Sequence, residues 1–265
     1  MTARLGGRIL SVITLTAQCA CTSPPVTWDA DRTEKPRDAQ YALSADGRLI
    51  AESPERLAAH LSAPTSACVG SLRLAHLGTT LVAVWWSPRA DSSALLTSAR
   101  SVDNGATWSA VATVDSTDHG ATGCAREQPA IAADSASGYV HVTYAILASE
   151  GPGLFYAHSM DGGATFHAPV PILYGARLGR TSVAAEGDFV AVVFEDPNSR
   201  LSRIGLALSR TMGHIFEERV LPVSDDNGAA TQPLVAVQGR RITIAWQEHA
   251  TTPGNVLRVR SGIIH

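Results

Sequence analysis

Lysine is nearly absent from this chain: Lys35 stands alone among 21 basic residues, and the others are arginine. Charged residues make up only 17%, and the formal net charge is −3. No segment carries a basic stripe, so the electrostatic footprint of a nucleic-acid binder is missing. No apolar run reaches the roughly 20 residues that a membrane-spanning helix needs. The nine histidines fall at no metal-ligating spacing, so no zinc site is expected, and no cofactor either. The length of 265 residues suits one all-β domain after a short leader.

What is present is a repeat of about fifty residues. Four apolar runs end on an aromatic: Leu81–Trp85, Val140–Tyr144, Val190–Phe194 and Ile242–Trp246. Each reads as a half-buried strand. A second short apolar run precedes each of them, at Leu72–Ala75, Pro129–Ala132, Thr181–Ala184 and Pro233–Ala236. About four short strands per unit is the size of one propeller blade.

Each aromatic strand is followed by a serine, at Ser101, Ser159, Ser209 and Ser261. The first two open near-identical octapeptides, Ser101-Val-Asp-Asn-Gly-Ala-Thr-Trp108 and Ser159-Met-Asp-Gly-Gly-Ala-Thr-Phe166. The pattern describes a tight turn. Asp103 and Asp161 can accept bonds from backbone N–H groups of their own turn. Gly105 and Gly163 allow positive φ. Thr107 and Thr165 complete the pattern, and Trp108 and Phe166 pin each turn to its sheet. The third copy, Ser209–Phe216, has Thr211 in place of Asp, and the fourth stops at Ser261-Gly262. These octapeptides resemble the Asp-box, or bacterial neuraminidase repeat, of the sialidase superfamily. The resemblance covers about three quarters of the chain. It implies an all-β propeller of four-stranded blades with Asp-box hairpins over residues 62–265, with about four repeats recognisable. Repetition and decay make the boxes scaffold rather than chemistry.

Residues 1–21 read as an export signal: Arg4 and Arg8 precede the apolar run Ile9–Ala17. Cys19 and Cys21 are candidates for lipidation in a lipoprotein-like leader. The expected location is periplasmic, cell-surface or extracellular, with membrane contact only through such an anchor. Residues 22–40 lack any period and read as a linker. Residues 41–61 hold a strand-like stretch, Tyr41–Glu52, and a short helix opened by Ser53-Pro54. The fourth repeat lacks an outer strand, so Tyr41–Glu52 is expected to supply it and close the ring. Cys68 and Cys124 occupy nearly equivalent places before adjacent inner strands. They read either as a disulfide or as two small core residues.

Blade topology assigns the site. The boxes join the third strand to the fourth, so the second-to-third loops and the connectors between blades share the opposite face. There lie Arg73, Arg126, Glu127, Arg180 and Gln232 on connectors and inner-strand starts. Trp86, Glu195, Asp196 and Glu248 lie at the ends of the second strands. The resemblance implies a carboxylate-binding clamp of three arginines, for which Arg126, Arg180 and Arg73 are available. It also implies a tyrosine nucleophile with acidic partners. The chain departs from that family: it has no Arg-Ile-Pro motif, four repeats rather than six blades, and no tyrosine in a nucleophile position. Trp86 is the candidate for stacking on a sugar. An arginine at a blade junction can equally tie two blades together, with Glu127 and Glu195 as the nearest partners. Three readings follow: an exported propeller that binds a glycan or protein without turnover, an exo-sialidase or related glycoside hydrolase, or a non-catalytic assembly factor.

Overall fold

The computed structural model describes residues 23–34, 40–44, 46–52, 68–177, 179–225, 228–250 and 255–265. The expected leader, with Cys19 and Cys21, and the expected helix after Ser53 lie outside the described residues. Two short strands come first, β1 (Val26–Trp28) and β2 (Arg32–Glu34), then a hairpin of β3 (Gln40–Leu43) and β4 (Leu49–Glu52). Blade 1 is β5 (Arg73–Leu77), β6 (Thr80–Pro88), β7 (Ala94–Ser101) and β8 (Ala112–Asp115). Blade 2 is β9 (Ala130–Asp134), β10 (Tyr139–Ala148), β11 (Gly151–Ser159) and β12 (Val170–Tyr174). Blade 3 is β13 (Thr181–Glu186), β14 (Phe189–Glu195), β15 (Ile204–Ser209) and β16 (Leu221–Pro222). Blade 4 is β17 (Gly228–Gln238), β18 (Arg241–Ala250) and β19 (Asn255–Ile264). Within each blade, consecutive strands pair antiparallel. The fold is an all-β propeller of four blades, and the described residues contain no α-helix.

The inner strands pack in order, β5 on β9, β9 on β13 and β13 on β17. The second strands are buried along most of their length, largely because neighbouring blades pack on them. Trp85 and Trp86, which point opposite ways, are both under 3% exposed. One apolar layer joins blades 1 and 2 through Val82, Val84, Trp86, Val142 and Tyr144. Others join blades 2 and 3, and blades 3 and 4. At the tips of the inner hairpins a polar series repeats. Gly78 N–H donates to Ser135, Gly187 N–H to Asp134 and Gly239 N–H to Glu186, each across a blade boundary.

The octapeptide turns are built from their own side chains. Ser101 donates to Asp103 (2.7 Å) and accepts from Gly105 N–H (2.7 Å). Asp103 accepts from Thr107 N–H (2.8 Å) and Thr107 hydroxyl (2.6 Å). Ser159, Asp161, Gly163 and Thr165 repeat the same bonds. The Thr107 bonds, with Ser101, hold Asp103 at about 2. Burial pulls Asp161 upward, but Thr165 and Ser159 outweigh it and hold it at about 2. Gly163 has φ +85°, and an added Cβ would stand 2.9 Å from Val82 of blade 1. The turn of one blade thus presses on the previous blade, and only glycine fits there. In the third copy, Thr211 hydroxyl accepts from Ile215 N–H, and Ser209 still accepts from Gly213 N–H. Trp108, Phe166 and Phe216 pack on the blade layers as the pattern requires.

The outer strand of blade 4 comes from the N-terminal part of the chain, but not from Tyr41–Glu52. β1 pairs with β19 through Val26↔Ile264 and Trp28↔Gly262, and β2 pairs with it through Arg32↔Val259. The segment read as a linker, 22–40, therefore contains the closing strands. Charge fixes this register. Arg260 forms a two-bond fork with Asp31 and lies over Trp246, and Arg241 pairs with Asp29. The Arg260–Asp31 and Arg241–Asp29 pairs link residues more than two hundred positions apart, which no local pattern announces. Tyr41–Glu52 folds on itself as β3–β4, with Gly47 in its turn against Thr243 of β18.

Candidate functional site

The face opposite the octapeptide turns carries the blade connectors and the second-to-third loops. Arg126 is consumed there by the protein itself. Its NH1 donates to Asp118 at 2.7 Å, and its Nε to the Gly123 carbonyl at 2.6 Å. Its NH2 reaches the carbonyls of Gly120 and Ser92. Both side chains of the Arg126–Asp118 pair are over 90% buried. Asp118 also accepts from the N–H groups of Ala94, Gly120 and Leu147. The guanidinium lies 5.1 Å from the Trp86 ring. No fork remains for a ligand carboxylate, so Arg126 is a tie between connector and blade and not part of a clamp. Trp86 is corrected with it: fully buried, it donates Nε1–H to the Glu127 carbonyl and has no face open for a sugar.

Three further candidates are engaged within the protein itself. Glu248 is 7% exposed and takes both bonds of a fork from Arg258. Asp196 accepts from Asn198 N–H and braces the β14–β15 loop. Arg73 donates to the Leu72 carbonyl at the start of β5. Cys68 and Cys124 form a disulfide, with Cα atoms 5.4 Å apart, which staples the entry of blade 1 to the connector leading into blade 2.

The remaining candidates are brought together in one continuous line. Glu127 faces Arg180 at 3.8 Å, with side chains 40% and 53% exposed. Arg180 carbonyl accepts from Glu195 N–H at 3.0 Å. Glu195 carboxylate accepts from Gln232 N–H at 2.8 Å. Gly179 lies against the Glu195 side chain, where an added Cβ would meet it at 2.7 Å. Glu127, Arg180, Glu195 and Gln232 therefore form a polar rim that crosses the connectors of blades 2, 3 and 4. Gln128 extends it toward blade 1 by donating to the Gly70 carbonyl at 2.9 Å.

Gln232 is the residue to which sequence reasoning gave too little weight. Its φ is +55°, in the left-handed region that non-glycine residues seldom occupy, and it precedes Pro233, which disfavours helical backbone before it. The pairing of β17 with β18 breaks register between Thr231 and Leu234 at this point. Such strain persists only where surrounding structure imposes it, and it clusters at binding sites. Here Glu195 imposes it, and the Gln232 side chain is left exposed. The Gln-Pro dipeptide at the mouth of an inner strand was the available signal.

Tyrosine chemistry finds no support on this face. Tyr144 is buried, with its hydroxyl donated to Asp115 at 2.6 Å, and burial followed by the Asp115 charge pushes it well up. Tyr174, which ends β12 on the mouth side, is 39% exposed. Among the described residues no cluster of three or more His, Cys, Asp or Glu side chains is placed to hold a metal ion. No helix among them is long and apolar enough to cross a membrane.

No protein-family model matches the chain, and no curated protein matches it. Solved structures do. A Dyadobacter fermentans protein of unknown function is similar at TM-score 0.54 and 16% identity, over 72% of this chain and 52% of that one. The NanB sialidase from Streptococcus pneumoniae aligns at TM-score 0.46 and 14% identity, over 71% of this chain and 30% of that one. The Bombyx mori GH32 beta-fructofuranosidase aligns at TM-score 0.43 and 15% identity, over 68% and 41%. This chain thus spans about half or less of the length of each. The likeness to the Dyadobacter protein is one of fold, in keeping with the four blades described above.

Proposed function

We propose that this propeller binds a glycan at the rim formed by Glu127, Arg180, Glu195 and Gln232, and does so without turnover. The rim itself carries the reading. It sets an exposed cation, two carboxylates and a strained, exposed amide in one row. Fixed donors and acceptors of this kind recognise sugar hydroxyls, as the few placed polar groups of ligand sites do. Tyr174, 39% exposed at the end of β12 on the same side, offers an apolar surface there. The two carboxylates are each held by a protein donor, with Arg180 between them, so they do not form the acid/base pair that glycoside hydrolysis uses. We further propose that the protein works outside the cytoplasm. The Cys68–Cys124 disulfide supports this, because such bonds persist in oxidising compartments.

A glycan array run beside fluorogenic glycosides, a sialoside among them, tests the proposal. The expected outcome is glycan binding with no fluorophore release. Arg180→Ala and Gln232→Ala should each weaken that binding about tenfold, or roughly 1.4 kcal/mol, without lowering the melting temperature. Fluorophore release would favour a hydrolase instead. An array without hits, or variants that bind like the parent, would remove the rim as a site.

A further inference from the structure

The seam between blades 2 and 3, on the face of the octapeptide turns, holds a cluster of imidazoles and phenols. His141 on β10 is 1% exposed, and its Nδ1 lies 2.6 Å from the hydroxyl of Tyr156. His158 on β11 is 8% exposed. Its ring stacks on His167 at 4.6 Å and meets His214 edge-on at 4.8 Å. Its Nε2 is buried without a hydrogen-bond partner. Tyr139 stacks beside His158 and His141, and its hydroxyl lies 3.5 Å from His214 Nε2. From blade 3, Phe216 packs edge-on against Tyr156 at 4.8 Å. Gly213 sits so close that a Cβ there would overlap the Tyr156 hydroxyl.

This is the turn whose octapeptide has decayed. It lacks the aspartate that braces the other two and carries His214 where they have Ala106 and Ala164. Its seat against blade 2 therefore leans on the aromatic and imidazole cluster. The titratable groups facing His141 and His158 are Tyr139, Tyr156, His167, His214 and Asp134. Asp134 alone is acidic, and its carboxylate is already engaged by Ser137, Ala136 N–H and Gly187 N–H. Arg210 and Glu217, in the same turn, pair with each other. An imidazolium in this seam would be buried without a free counter-charge, and a second one would repel the first.

We propose that this seam is a proton-operated latch, closed while its imidazoles are neutral and opened by acid, which releases the 209–216 turn from Tyr156. The direction follows from linkage. Burial, aided by His158, holds His141 down at about 4, and burial with His167 and His214 does the same to His158. Groups that resist protonation in the closed form cost nothing above about pH 6.5. As pH falls from there toward 4, the open form takes up protons that the closed form refuses, and the latch loosens.

Hydrogen exchange at pH 7.5 and pH 5, with rates corrected for intrinsic chemistry, reads this directly. Protection over 154–159 and 209–216 should fall about tenfold or more at pH 5, while β18 and β19 keep theirs. His158→Phe keeps a ring and removes a titrating group, so its loss at pH 5 should be smaller than that of the parent. NMR titration of the imidazole Cε1 protons in the parent protein is independent of any variant's folding. It should find His141 and His158 still neutral at pH 5. Uniform loss of protection in every blade, a His158→Phe variant that opens like the parent, or both imidazoles titrating near 6.5 would each overturn the latch.

Discussion

Arg126 and Asp118 show how a single pair can be read two ways. An arginine on a connector near the axis is chemically fit to grip an acidic ligand. Here it is over 90% buried against Asp118, with its donors spent on carbonyls. Arg126→Ala leaves the Asp118 carboxylate buried and uncompensated, so it should cost about 3–5 kcal/mol of stability, measured by denaturant unfolding. Ligand affinity of the folded fraction should not change. The sequence hid this because Asp118 lies in an aperiodic connector, where nothing marks a partner. The Trp86 error has a different cause. Alternation assigns one face of a strand to solvent, but the Trp86 face of β6 packs on blade 2. The octapeptide residues were legible, since the Ser, Asp and Thr side-chain bonds that shape each turn are local. Asp161→Ala should lower stability by on the order of 1 kcal/mol. Because Asp161 is held at about 2 in the fold, its contribution is present above about pH 4 and is lost as pH falls through 2. The gap between parent and variant in urea midpoint should therefore close over that range.

At the scale of elements, the fifty-residue period placed all four pairs of inner and second strands, because their hydrophobic alternation is dictated by blade packing. The closing strand was not legible. β1 and β2 are only three residues each; β2 is polar and exposed, and β1 adds just Val26 and Trp28 to the layer between blades 3 and 4, with ion pairs such as Arg260–Asp31 holding the segment to β19. Removing residues up to Glu34 should expose the outer edge of β19 and make the protein both less stable and prone to associate. Removal only as far as Thr22 should do neither, as thermal melts and light scattering would report. The Cys68–Cys124 bridge closes a loop with a sequence separation of 56. Its reduction should cost about 4 kcal/mol in the chain-entropy picture. A melting temperature unmoved by reductant would contradict that.

Across the whole molecule the two faces of the propeller differ in chemistry. On one face the octapeptide turns and the Gly78, Gly187 and Gly239 donors lock each blade to the next. On the other, the connectors leave a polar rim in which Glu195 holds Gln232 at positive φ. Blade topology alone assigned these faces, and Glu127, Arg180, Glu195 and Gln232 lie in one line of contacts. Which arginine would be spent on structure depended on side-chain partners far apart in sequence. Hydrogen exchange with and without an array-identified glycan tests the division most directly. Protection is predicted at the rim, over residues 179–182, 195–203 and 228–234, with none over 101–108, 159–166 or 209–216. Protection centred on the octapeptide turns, with the rim unchanged, would contradict it.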